Sequence, residues 1–480
     1  MHQDQFSSDF NPDIIQRIYA LIKSDPAYQP RPFREGTLPI DKALEAISDT
    51  TSMYIGSGMT DKAGSVFLEQ FPSSEAVLIA DTNTFQIQGS KLEESLMASG
   101  IAIAKRLVLE ASGLRPDYEL VTSLFSELKT MPSSAIPIAI GAGTINDVVK
   151  LAAHLAGKKY MCVPTAASMD GYTAYGASIW TNGIKQTYPC SGPKAVLADL
   201  DIIEHAPYEM AQAGFADLIS KMTAGADWIL SDWMGMGQIN EKAWKISQSG
   251  FQEALLVADR FNPINLRSHT KKIFEGLILC GFAMQVAHSD IPAFGAAHQI
   301  CDIWQLEHLM KDGKPVSYGS LLSIALQVVT AFYNKLLILP FEEFDMERYV
   351  RQWPSFEEYE EMARKAISKA RIHDIGLQRA KAKYVTREEL SLQLQQLKEY
   401  WPDIRDRLSQ QIKPLSELRS LLKNAGLPIS PDEIGISCEH LKQTVECVPY
   451  ISKHFTILDL MARTDQTDIN ESFYLNKFYQ

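Results

Sequence analysis

The sequence predicts an α/β domain built on a parallel sheet over residues 1–205, followed by an all-α domain over residues 206–480. Three observations lead there. Up to about residue 205, short β-rich runs alternate with helical stretches, the pattern of βα units. Beyond it such runs become scarce, and helical periodicity built from Ala, Leu, Met, Lys and Glu continues to the end. A chain of 480 residues, 46% hydrophobic and 22% charged, also carries apolar surface enough for two cores.

Taken in order, the strand candidates are Ser52 to Ile55, Ala76 to Ala80, Ile136 to Ile140, Tyr160 to Val163 and Ala195 to Ala198. Ser90 to Ser99 and Ile145 to Ala156 carry apolar residues at helical spacing. In the second half Pro340, Pro354, Pro402, Pro414, Pro428 and Pro431 mark helix boundaries. The apolar run Ser320 to Leu339 contains Gln327, Asn334 and Lys335, costly in lipid, and reads as a buried helix rather than a membrane span.

The formal net charge of −12 argues against nucleic acid or an anionic membrane as partner, since both need clustered Lys and Arg. A small anionic substrate in a local positive pocket is compatible with it. The N-terminus MHQDQFSSDFNPD has neither the basic nor the apolar region of a secretory signal, so a cytoplasmic protein is expected. The six cysteines lack any C-x-x-C pair, which indicates neither a disulfide framework nor a thiolate metal cluster. A homo-oligomer is compatible with the size, without an interface signal to locate it.

Three segments carry the chemistry: IPIAIGAGTINDVVK, CVPTAASMDGYT and AGFADLISKMTAGADW. In the first, an apolar strand delivers the chain into Gly141, Ala142 and Gly143, after which Thr144, Ile145 and Asp147 open a helix. Glycine lets a pyrophosphate approach the backbone, and the helix N-terminus supplies unpaired N–H donors. In the second, Thr165, Ala166, Ala167 and Ser168 follow a short strand and leave room and hydroxyls for a ligand. Asp81 ends the Ala76 to Ala80 strand at about the interval where an acid meets a ribose hydroxyl; that role favours NAD over NADP, and a helix cap is the other reading. Asp217 with Lys221, and His298 with Asp302, stand four apart and share helix faces. A carboxylate and an imidazole from two helices can hold a divalent cation, although the usual role of an Asp–Lys pair is a salt bridge.

With GAGTINDVVK, VPTAASMDGYT, NGIKQTYPCSGPKAVLAD and GFADLISKMTAGADW, and again in AGLPISPDEIGIS and HFTILDL, the chain resembles the sn-glycerol-1-phosphate dehydrogenase family. That family lies within the superfamily of iron-containing alcohol dehydrogenases and dehydroquinate synthases. The resemblance implies a nucleotide-binding α/β domain, an all-helical metal and substrate domain, and an active site in the cleft between them. It implies reduction of dihydroxyacetone phosphate, or a related small phosphorylated ketone, to sn-glycerol 1-phosphate or the corresponding alcohol. NAD(H) or NADP(H) and a divalent metal (Zn, Ni, Fe, Mn or Mg) would be the cofactors. By the same resemblance Gly141 to Ile145, Asp147 and Thr165 to Ser168 would hold the dinucleotide. Asp170, Asp217, Lys221 and Asp302 would be the catalytic group, and Asp217, His298 and Asp312 the metal ligands.

The departures from the family pattern fall at the metal. Ala297 stands where the family has Glu, Asp302 where it has a second His, and Asp312 in KDGKPVSYG where it has the third ligand, also a His. The more oxygen-rich set predicts weaker Lewis acidity and a harder ion such as Mn²⁺ or Mg²⁺. His308 is the weaker alternative for the missing ligand. Two other readings stay open: a cyclase or lyase acting on a sugar phosphate, as in the dehydroquinate synthase branch, and a non-catalytic nucleotide-binding descendant.

Overall fold

Four apolar segments between residues 75 and 199 form strands because they are short, rich in Val, Ile and Ala, and buried on both faces, as interior strands of a parallel sheet must be, while Ser52–Gly56 is half-buried at one edge. The structure is a computed structural model that describes residues 38–467 apart from 259, 263–264 and 370–373. The N-terminal stretch discussed above, residues 1–37, lies outside the described residues. In chain order the strands are β1 (Ser52–Gly56), β2 (Glu75–Asp81), β3 (Ile103–Leu109), β4 (Ala135–Gly141), β5 (Met161–Pro164), β6 (Ala177–Thr181), β7 (Ile184–Tyr188) and β8 (Ala195–Asp199). Six of them make one sheet in the order β1-β8-β5-β4-β2-β3, parallel throughout. β6 and β7 pair antiparallel as a separate ribbon.

Strand β3 was not anticipated from the sequence. It alternates half-buried with exposed residues and carries Lys105 and Arg106 mid-strand, as suits an edge that must not recruit another chain. Charge at those positions hides the apolar run.

The strand order fixes where a ligand can sit. From β2 the chain moves outward to β3, and from β4 it moves the other way to β5, so the connections diverge between β2 and β4. In such sheets the crevice at the carboxyl ends of the diverging strands is the binding position. Gly141 ends β4 and Asp81 ends β2 at that point.

The last strand of the sheet ends at Asp199, and long helices follow. Those that shape the cleft are α2 (Tyr208–Ile219), α3 (Lys221–Trp233), α4 (Leu266–Ala287), α5 (Ala296–Leu306) and α6 (Tyr318–Ile338), with α1 (Gly143–Leu155) coming from the sheet region. Helix α6 is long and apolar enough to cross a membrane, but 78% of its most apolar window is buried inside the fold. Its Gln327 amide donates to the carbonyl oxygens of Ser323 and Pro428, which satisfies a polar group that lipid would not. All six cysteines are free thiols.

Candidate active site

β4 is buried along its whole length, and helix α1 starts at Gly143 with Ala142 as its N-cap. Alanine has no side-chain acceptor, so the first-turn N–H groups of α1 lack a side-chain cap and stay available to an anion. Ala142, Gly143, Thr144, Asp147 and Ser168 line a cleft of about 520 Å³ together with Asp170, Asp217 and His298. Gly141, Ile145, Thr165, Ala166 and Ala167, expected to hold the dinucleotide, are buried and shape this wall from behind. The reason is close packing. A Cβ on Gly141 would lie 2.7 Å from the Ile145 Cβ, and one on Gly214 of α2 only 2.0 Å from the Ala167 carbonyl oxygen.

The loop after Ser168 is pinned by a buried cation. Lys150 of α1 donates to the carbonyl oxygens of Gly171 (2.6 Å), Ala174 (3.2 Å) and Gly176 (3.1 Å). Thr173 bonds the Ile278 carbonyl of α4 at 3.1 Å, which ties the loop to the helical part of the chain. These bonds hold Asp170 over the start of α3.

There Asp170, Asp217, Lys221 and His298 come together from a loop and three helices. The Lys221 ammonium is fully buried, 2.6 Å from Asp170 Oδ2 and 2.7 Å from Asp217 Oδ1. It also donates to the Ala293 carbonyl at 3.1 Å. The Asp170 N–H donates to Asp217 Oδ2 at 2.9 Å, and His298 Nε2 lies 3.3 Å from Asp217 Oδ1. Phe294 stacks on the imidazole at 4.7 Å. Burial pushes Asp217 up, but Lys221 and His298 outweigh it and hold the carboxyl well below the usual range. Asp170 moves the other way, raised by burial and by the neighbouring Asp217. Burial alone would lower Lys221; the two carboxylates raise it instead, so it stays an ammonium.

Burial also lifts Asp147, to about 6 from the usual 3.8, with Lys150 pulling against it. A carboxyl whose folded pKa is raised costs stability once ionised. That cost is absent below about pH 4, grows through the interval and is complete above about pH 6. Asp147→Asn is therefore expected to raise the melting temperature at pH 7.5 by clearly more than at pH 4.5. Thermal unfolding at the two pH values checks it, and an equal shift at both would refute the assignment.

Three expected residues, Asp312, the alternative ligand His308 and Asp302, are not where their roles require. Asp312 sits at the tip of an exposed hairpin with φ of 50°, outside the cleft lining. The Met310–Lys311 and Lys314–Pro315 strands turn about it, and a tight turn directs its side chain to solvent rather than toward Asp217. In this arrangement it stands apart from Asp217 and His298, and Asp312→Ala is expected to leave metal content and turnover unchanged, measured by elemental analysis and assay. His308 lines a different surface groove, beside Glu307 and Trp180. Asp302 does not touch the cluster either. It lies one turn beyond His298 and contacts Lys185 at 3.4 Å.

Asp81 is the N-cap of the helical turn that follows β2: its Oδ1 accepts from the N–H groups of Asn83 and Thr84, both at 2.9 Å. Thr84 returns the bond to the Asp81 N–H, completing a capping box. The cap reading is the one the geometry displays.

The metal donors are incomplete. Asp217 and His298 converge, Asp170 spends an oxygen on Lys221, and no group of three His, Cys, Asp or Glu able to hold a metal occurs among the described residues. A buried ammonium already satisfies Asp217 Oδ1. The donor set does not fit a tightly held divalent ion. The dinucleotide side does fit, with an uncapped helix start and a glycine turn at the diverging strands.

Sequence reasoning missed Asp290, Lys185 and Tyr318, all of which line the cleft. Asp290 accepts from His454 Nε2 (2.7 Å) and Thr187 Oγ1 (3.0 Å), joining the β6–β7 ribbon to the C-terminal region. Lys185 lies within NGIKQTYPCSGPKAVLAD, where a lysine among polar residues gave no local sign of a role.

Residues 54–207 match the family model described as iron-containing alcohol dehydrogenase. The chain is 30% identical over 287 residues to glycerol-1-phosphate dehydrogenase (NAD(P)+) of Bacillus licheniformis, covering 59% of this chain and 70% of that protein. Among solved structures, glycerol dehydrogenase of Schizosaccharomyces pombe superposes with a TM-score of 0.54 at 15% identity over 90% of this chain and 93% of that one. Sulfoacetaldehyde reductase of Bifidobacterium kashiwanohense, solved with NAD+, gives 0.53 at 13% identity, covering 88% and 97%. At those identities the two structures speak for the fold.

Proposed function

Because the chain belongs to the glycerol-1-phosphate dehydrogenase family of the iron-containing alcohol dehydrogenases, we propose that it reduces dihydroxyacetone phosphate to sn-glycerol 1-phosphate with NADH or NADPH. The observation that carries the reading is one cleft lined both by the Gly143 helix start and by the Asp170–Asp217–His298 group, with Lys221 buried directly behind it.

The N–H groups at the start of α1 and the Ser168 hydroxyl would hold the dinucleotide's phosphates and fix its ring against the cleft. When bound, the dihydronicotinamide supplies hydride to the carbonyl carbon while the carbonyl electron pair passes to oxygen. Asp170 is the most exposed member of the cluster, at 16% against 4% for Asp217 and 5% for His298. Its Oδ2 is fixed by Lys221, which leaves Oδ1 to accept a hydrogen bond from the substrate's hydroxyl, while the alkoxide oxygen would take its proton from water in the cleft. Lys221 and Asp217 position Asp170 from behind. The family implies a divalent metal, but the donors here do not complete its site, and no step above passes through one.

The division near residue 205 into dinucleotide-binding and helical substrate parts, a cytoplasmic setting and a homo-oligomeric state belong to the same reading. The test is oxidation of NADH and of NADPH with dihydroxyacetone phosphate, with the product's configuration assigned. Turnover to the sn-1 isomer is expected. No turnover with either cofactor, whether alone or with Zn²⁺, Ni²⁺, Fe²⁺, Mn²⁺ or Mg²⁺, would sink the proposal.

A further inference from the structure

A phosphorylated substrate must meet a cation, and the cleft offers little choice. Its ionisable lining comprises the carboxylates Asp147, Asp170, Glu209, Asp217 and Asp290, the phenols Tyr175 and Tyr318, and His298, whose Nε2 is already turned to Asp217, with Lys185 as the one lysine or arginine among the described lining residues. The two lysines behind the walls are spent. Lys221 is saturated by two carboxylates and a carbonyl, and Lys150 by three carbonyls. Neither has any exposure.

Lys185 is differently placed. Side chains alternate along a strand, so Lys185 and Thr187 of β7 share a face, and their partners across the ribbon are Trp180 and Ser178. All four line the cleft. The ammonium is fastened loosely, to Asp302 Oδ1 at 3.4 Å and Gln305 Oε1 at 3.2 Å, and keeps 19% exposure. Tyr318 lies beneath it, with the ring 5.4 Å away. Two long contacts leave one N–H direction unused, and a phosphate dianion at 2.7–2.9 Å would be the stronger acceptor.

We propose that Lys185 is the residue that recognises the substrate's phosphate, with Asp302 and Gln305 orienting it; this rests on the reading of function above. Asp302 is then a positioning residue acting through Lys185. The acidic remainder of the cleft gives this one cation its weight in specificity, because a dianion bound elsewhere along the lining would face carboxylates.

The test compares wild type with Lys185→Met and Lys185→Arg on dihydroxyacetone phosphate and on unphosphorylated dihydroxyacetone, with melting temperatures recorded to exclude misfolding. In Lys185→Met the kcat/KM preference for the phosphorylated ketone is expected to fall by on the order of ten- to a hundredfold, mainly through KM. Lys185→Arg should restore part of it. A preference unchanged in Lys185→Met would overturn the proposal. If wild type turns over neither ketone, the functional reading fails by itself, and calorimetric titration with inorganic phosphate still decides this site. Binding to wild type and not to Lys185→Met supports it; equal binding, or none to wild type, overturns it.

Discussion

Lys221→Met is expected to lower the melting temperature by roughly 5–10 °C and to abolish turnover, because it leaves two buried carboxylates facing each other without their cation. Breaking a buried ion pair from one side costs about 3–5 kcal/mol, and in a chain of this size each kcal/mol moves the midpoint by roughly 2 °C. The ammonium lies 2.6 Å and 2.7 Å from Asp170 and Asp217 and has no exposure of its own. The double variant Lys221→Met/Asp217→Asn should recover part of the lost stability, since it removes one of the two stranded charges. The pH windows follow from the directions of the shifts. Lys221 is raised, so its contribution holds at every pH below its ordinary value of 10.5 and is lost only far above it. Asp217 is depressed below 3.8, so its share is present above that value and lost as the pH falls through its lower folded value. Calorimetry from pH 2 to pH 9 reads the loss of the Asp217 share at its acid end while the Lys221 share stays constant, and an unchanged midpoint in Lys221→Met would show that the cluster carries no such strain.

The second large effect is expected at Gly214. An added Cβ there would lie 2.0 Å from the Ala167 carbonyl oxygen and 2.9 Å from its carbon, both backbone atoms. Neither can swing aside as a side chain would. The adjoining residue is also held, since the Tyr172 hydroxyl donates to the Ala166 carbonyl at 2.7 Å. Gly214→Ala should therefore push helix α2 away from the Thr165–Ser168 turn, with a loss of about 1–3 kcal/mol. Because Ser168 lines the cleft, NADH affinity should drop by roughly tenfold or more for a misplacement of about 1 Å. Fluorescence titration with NADH measures it. Tight NADH binding by a stable Gly214→Ala protein would show that the turn does not depend on this contact.

Much of the sheet was legible because interior parallel strands are continuous apolar runs. Ala76 to Ala80, Ile136 to Ile140 and Ala195 to Ala198 announce themselves, and each lies within an observed strand. The Gly141–Gly143 turn was legible because glycine before a helix has few other uses. Where the pattern failed, a particular reason applies. Lys105 and Arg106 broke the apolar run of β3 because an edge strand needs them. The β6–β7 ribbon was missed because its residues are polar on the face that meets the cleft, and that face is a property of the cleft rather than of the ribbon. Asp312 was placed by analogy of position, whereas the two-residue strands around it turn its side chain outward.

The sequence by itself determined the order of the βα units, the glycine turn at the end of β4, and the Asp217–Lys221 pair. All of these rest on local pattern, namely apolar runs of four or five residues, glycines two apart, and a four-residue spacing that the helical backbone of Ser220 carries from α2 into α3. Only the tertiary structure decided what those faces meet. Asp170 bonds Asp217 across 47 residues and His298 reaches it across 81, while Lys185 finds Gln305 across 120. Separations of that length leave no periodic trace. They are fixed by the packing of α2, α3 and α5 against the Lys150-pinned loop, and that packing is what turned Asp302 toward a lysine rather than toward a metal.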